Sequence, residues 1–193
     1  TMIIVVTGNI GCGKSTVAAM IAERLPLCTV INYDYIVDEL YTTCSEFTDQ
    51  LVKSFGTSAK HEISNLVFTD TVALATLKRI ASPYVNQAVN SAYQDAGNNI
   101  VFDAPLWFED QMYQRFPYHF VVVVVADEAT QLMRVAERSG WSYDKTLSVI
   151  SNQLPQALKL SYADYSISNV RTVDMLSKQV DDCVNTALGI AHD

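Results

Sequence analysis

Gly8-Asn9-Ile10-Gly11-Cys12-Gly13-Lys14-Ser15-Thr16 is the stretch that decides how the rest of the chain is read. It follows an apolar run, Met2 to Val6, and precedes an alanine-rich amphipathic segment, Val17 to Leu25. In that strand, glycine loop and helix context, the pattern G-x-x-x-x-G-K-[ST] (Walker A) carries a phosphate-binding mechanism. Gly8, Gly11 and Gly13 let the backbone curl until successive N–H groups point inward, and the helix N-terminus behind them completes a concave anion site. Lys14 is expected to reach the β- and γ-phosphates of a nucleoside triphosphate, and the Ser15 hydroxyl to ligate Mg²⁺. Gly8 through Thr16 are therefore the expected nucleotide cradle.

With 193 residues, 49% of them apolar and 18% charged, the chain suits a single α/β domain carrying a small lid or insert. Nothing in that composition marks disorder. A net charge of −8 argues against a broad nucleic-acid footprint, which needs a basic face. Any phosphate chemistry must then gather its few Lys and Arg in one cleft. Cys12, Cys28, Cys44 and Cys183 show no C-x-x-C spacing and read as reduced thiols of a cytoplasmic protein, not as a disulfide framework or zinc site. The first apolar run passes straight into the glycine loop, unlike a secretion signal, and Thr1 ahead of Met2 reads as an added residue. The longest apolar run, Phe120 to Ala126, is too short to span a bilayer.

Outward from the glycine loop, continuous apolar runs predict buried parallel strands at Met2–Thr7, Cys28–Ile31, Ile100–Phe102, Phe120–Val125 and Tyr165–Ile167. Helices are expected at Lys14–Leu25, at Tyr35–Tyr41 and onward to Phe55-Gly56, from Asp127 to Arg138, over Ser142–Asn152 and over Val170–Ala191. Residues 62–96 read as two or three helices with a break at Ser82-Pro83. Strands alternating with helices mean an α/β fold, a parallel sheet of about five strands wound on both faces. The expected core is residues 1–32, 98–138 and 163–193, with a helical acceptor insert at 33–97 and a small lid at 134–160.

A carboxylate is needed on the metal side of the cradle, and two strands end near one. Asp103 closes Ile100-Val101-Phe102 on a rigid Asp-Ala-Pro exit, whereas Asp127 lies one residue past its strand and directly before a helix, the ordinary N-cap position. Ligands collect at the carboxyl ends of strands in such sheets, so Asp103 is the expected metal-side acid. Asp34, after the second strand, is either another N-cap or the carboxylate that orients an acceptor hydroxyl and takes its proton. Arg134 and Arg138 are four apart on one helix face and suit the stabilisation of a transferring phosphoryl group. Tyr33, Tyr35, Trp107, Phe108, Tyr113, Phe116 and Tyr118 either pack a core or stack on an acceptor base.

Taken together, these motifs resemble dephospho-coenzyme A kinase along nearly the whole chain. The glycine loop is similar to that family's opening. Ile31-Asn32-Tyr33-Asp34 falls on its Asp-Ala-Asp segment, Asp103-Ala104-Pro105-Leu106-Trp107-Phe108-Glu109 on its Pro-Leu-Leu-Phe-Glu stretch, and Gln131-x-x-Arg134 with Arg138 on its lid entry. Gln153, Ala163-Asp164 and Ile167-x-Asn169 match its closing signature. Asn32 stands where the family has its first Asp, and Ser82 where it has a His before Pro83. The resemblance implies an ATP- and Mg²⁺-dependent kinase that moves the γ-phosphoryl group to a hydroxyl, with Asp34 as base and Asn169 near the adenine. The acceptor would be a nucleotide-like small molecule, dephospho-coenzyme A foremost, met by Asn32, Tyr33, Asp34, Pro105, Leu106 and Trp107. Two other readings fit the glycine loop: a kinase of nucleotides or of hydroxymethylated pyrimidines in DNA, and a nucleotide-gated switch, although the guanine-reading Asn-Lys-x-Asp pattern is absent.

Overall fold

A computed structural model of the chain describes residues 1–169 and 172–189. It divides into two compact units, Thr1–Asn32 with Ala96–Asp193, and Tyr33–Asp95.

The first unit holds one sheet. β1 (Ile3–Thr7), β2 (Cys28–Asn32), β3 (Asn99–Asp103), β4 (Phe120–Val125) and β5 (Tyr165–Ser168) stand in the order β2-β3-β1-β4-β5, and every neighbouring pair is parallel. β1 is buried along its whole length and β4 at its four central valines, the pattern of strands covered on both faces. Ile4, Val6, Val101, Val122 and Val124 share one core with Val17, Ala18 and Ile21 of α1 (Lys14–Arg24) and with Val180, Cys183 and Val184 of a later helix. The opposite face alternates with it and carries an aromatic cluster, Phe102 lying 5.4 Å from both Trp107 and Phe116. The register pairs Val6 with Asp103 and Asn32 with Asp103. The glycine loop and the Asp103 exit therefore leave the sheet at the same edge.

In the second unit α2 (Tyr33–Thr43), α3 (Ser45–Phe55), α4 (Lys60–Thr69) and α5 (Thr71–Asp95) pack on one another. The expected break at Ser82-Pro83 does not occur, because α5 runs through Pro83. A proline inside a helix costs about 3 kcal/mol, but α5 buries Ile80, Val85 and Val89 against its neighbours, each contributing about 1.5–3 kcal/mol. Packing outweighs the local penalty.

The remaining helices of the first unit are α6 (Glu128–Ser139), α7 (Tyr143–Asn152), the short α8 (Gln156–Leu160) and α9 (Val173–Ala187). Asp127 caps α6 by accepting the Thr130 N–H at 2.7 Å, and Gly140 ends it at φ 64°. The expected closing helix reached from Val170 to Ala191; both of those residues lie outside the described ones. All four cysteines are free thiols, and no described helix is long and apolar enough to cross a membrane.

Candidate active site

Between β1 and α1 the backbone turns in a way that glycine alone accommodates. Gly11 has φ 78° and Gly13 φ 83°, both left-handed. A Cβ on Gly11 would meet the Gln131 carbonyl oxygen at 2.7 Å and the Gln131 Cα at 2.8 Å, whereas one on Gly13 would meet the Asn169 amide nitrogen at 2.2 Å. Backbone cannot step aside as a side chain can. Gly11→Ala is therefore expected to lower unfolding free energy by at least about 2 kcal/mol, combining strain and overlap. Urea unfolding at unchanged slope measures it, and a loss under about 0.5 kcal/mol would mean the loop adopts another conformation.

Three consecutive carbonyls of the loop are tied from outside. Ile10 O accepts from Gln131 Nε2 at 2.9 Å, Gly11 O from Arg134 at 3.4 Å and Cys12 O from Asn169 Nδ2 at 2.9 Å. With its carbonyls held outward, the loop turns its remaining amides and the first N–H groups of α1 toward the concave side. Cys12 is buried; its thiol accepts from Gln131 Nε2 at 3.0 Å and donates to Gln156 Oε1 at 3.5 Å, and burial pushes its pKa up. Gly8 and Asn9 are buried too, and Asn9 Oδ1 meets no hydrogen-bond partner among the described residues.

The concave side is a cleft of roughly 320 Å³ lined by Gly11, Gly13, Lys14, Ser15, Thr16, Arg134, Val135 and Arg138. Among the described residues three cations and no carboxylate line it, in a chain of net charge −8. This is the local basic cleft that phosphate chemistry requires. Lys14 is buried while Ser15 and Thr16 are open to solvent. Arg134 is oriented by the Asn169 carbonyl, 2.8 Å away, as well as by Gly11 O; Arg138 is exposed, its Nε donating to Ser139 Oγ at 3.3 Å. The resemblance implies Asn169 near the adenine; in the structure its side-chain amide donates to Cys12 O of the glycine loop.

Asp103 is buried at the end of β3 and accepts from Asn32 Nδ2 at 2.6 Å. Asp127, the other candidate, is occupied as the cap of α6, and the Thr130 N–H holds its carboxyl below the usual carboxylate range. Asp34 belongs to the second unit. Since α2 begins at Tyr33, Asp34 is an exposed acid in its first turn and not a cap ahead of Tyr35.

Two expected acceptor residues are corrected. Trp107 is wholly buried, 5.7 Å edge-on to Tyr118 and 5.4 Å from Phe102; an indole enclosed by these rings offers no face to a ligand. Pro105 is buried as well, with its carbonyl accepting from Thr7 Oγ1 and Lys159 Nζ. Phe116 joins the same core at 4% exposure. Leu106, Tyr33 and Asn32 stay half-buried. The sequence reading missed Lys159, which is fully buried and paired with Glu109 at 2.8 Å. Burial pulls its pKa below the usual lysine value while Glu109 opposes that shift. A lysine flanked by Leu158 and Leu160 was its only signal.

The family model described as Dephospho-CoA kinase matches residues 2–174. A dephospho-CoA kinase of Leifsonia xyli is 31% identical over 188 residues, covering 91% of this chain and 93% of its own. One of Oceanobacillus iheyensis is 29% identical over 195 residues, covering 94% and 96%. Among solved structures, a Thermus thermophilus protein superposes with a TM-score of 0.78 at 24% identity, covering 100% of this chain and 98% of that one. The dephospho-CoA kinase from Campylobacter jejuni does so at 0.62 and 21%, covering 98% of both; these two likenesses show the fold. With the family match running through the sheet, the glycine loop and the α6 arginines alike, the chain belongs to the dephospho-CoA kinase family, kinases that pass a phosphoryl group to a hydroxyl.

Proposed function

We propose that this protein transfers the γ-phosphoryl group of ATP to the 3′-hydroxyl of dephospho-CoA. The observation that carries the reading is the cleft where Lys14, Arg134 and Arg138 converge on the glycine loop. Lys14 and the loop amides hold the phosphates. Arg134, fixed in place by two carbonyls, and Arg138 neutralise charge that develops during transfer, and a preset orientation costs no reorganisation at that moment. Ser15 and Asp103 offer a hydroxyl and a carboxylate, the hard oxygen donors Mg²⁺ selects, so this donor set fits the ion. Held there, Mg²⁺ would supply neutralisation of phosphate charge.

Asp34 orients the acceptor hydroxyl and receives its proton. Residues 33–97, Tyr33 among them, supply the acceptor side. Within the 134–160 lid stretch, Arg134 and residues 153–159 are tied to other loops, so closure over ATP is assigned to the arm from Gly140 to Asn152. The free thiols fit a reducing, cytoplasmic setting.

The test offers γ-labelled ATP separately with dephospho-CoA, with a panel of nucleosides and nucleotides, and with hydroxymethylated DNA. Label is expected in dephospho-CoA with kcat/KM at least about 10²-fold above any other acceptor. Label entering a nucleotide or the DNA instead, or phosphate released to water alone, would overturn the acceptor assignment.

A further inference from the structure

Residues 153–159 reach three loops that leave the carboxyl edge of the sheet. Gln153 Oε1 accepts the Ile10 N–H of the phosphate loop at 2.9 Å. Gln156 pairs with both backbone groups of Ala126 after β4, at 3.2 and 3.0 Å. Lys159 Nζ donates to Pro105 O at 2.9 Å and to Glu109 Oε1 at 2.8 Å, and the same Glu109 oxygen accepts the Leu154 N–H at 2.9 Å. Lys159 is fully buried and the Glu109 side chain is 13% exposed. A buried ion pair adds little net stability, because desolvating two charges offsets most of their attraction. Geometry is where this pair has an effect. One ammonium grips two points of the loop that starts at Asp103, and the carboxylate it holds grips the residue next to Gln153.

We propose that Lys159 and Glu109 are positioning residues for phosphoryl transfer: the pair sets the loop beginning at Asp103 against the phosphate loop at Ile10, keeping the metal-side carboxylate and the phosphate cradle in register. This rests on the reading that Asp103 serves the transfer site. Neither side chain need touch a substrate. A misplacement of an ångström at a transfer site costs about 10²-fold in rate, so loosening the clamp acts on turnover before it acts on nucleotide capture. The cradle keeps its ties to Gln131, Arg134 and Asn169.

The experiment compares Lys159→Met, Glu109→Gln and Lys159→Arg with wild type in three readouts: kcat with ATP and dephospho-CoA, ATP affinity by titration calorimetry, and amide hydrogen exchange. Lys159→Met is expected to lower kcat by at least about tenfold, with ATP affinity within about threefold and faster exchange confined to residues 103–110 and 8–12. Lys159→Arg is expected to recover most of the loss. A folded Lys159→Met with wild-type kcat and exchange would overturn the proposal, as would a fall in ATP affinity equal to the fall in kcat. Should Lys159→Met not fold, Glu109→Gln, which keeps the shape and removes the charge, decides by the same criteria. The exchange readout needs no acceptor, so local loosening in a protein that does not phosphorylate dephospho-CoA would sustain the clamp and sink only the acceptor.

Discussion

Lys14→Ala is expected to reduce turnover by at least about 10³-fold, the loss seen when a preorganised charge is removed from a transferring group. Among the described residues the cleft holds three cations, and of these Lys14 alone is buried. Its field is therefore the least screened by water. It is also the cation at the head of α1, where the loop amides gather, so no neighbour can take its place. The same substitution is expected to leave thermal stability unchanged or slightly raised. Lys14 repels the buried Lys159, which is one reason that lysine's pKa is pulled down, and removing one of two buried ammoniums relieves the other. Steady-state kinetics and a melting curve on the same sample test both halves. Lys14→Arg is not expected to rescue, because a planar fork cannot stand in for a compact ammonium in a cradle shaped around it. An alanine variant within about tenfold of wild-type kcat/KM would remove phosphoryl transfer from this cleft.

The sheet could be read from the sequence because its strands are uninterrupted apolar runs: Ile3–Val6 and Val121–Val125 admit few alternatives once a glycine loop and a helix follow the first. The conformation of the glycine loop could be read for the same reason, since it needs left-handed backbone that glycine at 11 and 13 allows. Partners of single polar residues were harder. Asn169 and Gln131 do their work on carbonyls more than 100 positions away, and no periodicity marks a residue for such a contact. Trp107 misled because an aromatic beside a motif reads alike whether it faces a ligand or Phe102. Pro83 misled for a related reason. Local chemistry predicts a break, and only the buried face of α5, an assembled property, shows why none occurs.

Asp34→Asn is the second large effect expected: kcat lower by about 10²- to 10⁴-fold, the range for loss of a positioned general base, with ATP affinity within about threefold of wild type. Asparagine keeps the size and most of the hydrogen-bonding capacity of the side chain but cannot take a proton. Affinity should survive because every described residue lining the phosphate cleft lies in the first unit, whereas Asp34 belongs to the second. The competing explanation is that Asp34 is simply an acid favourably placed in the first turn of α2, where a negative charge meets the positive end of the helix dipole. That role predicts a different pattern. Losing the charge would soften the helix terminus, lower the melting temperature of the variant, and leave turnover of the folded fraction nearly normal, since an exposed first-turn charge acts only on its own helix. A folded Asp34→Asn protein turning over at close to the wild-type rate would place the proton on another acceptor and leave Asp34 as a helix-terminal acid.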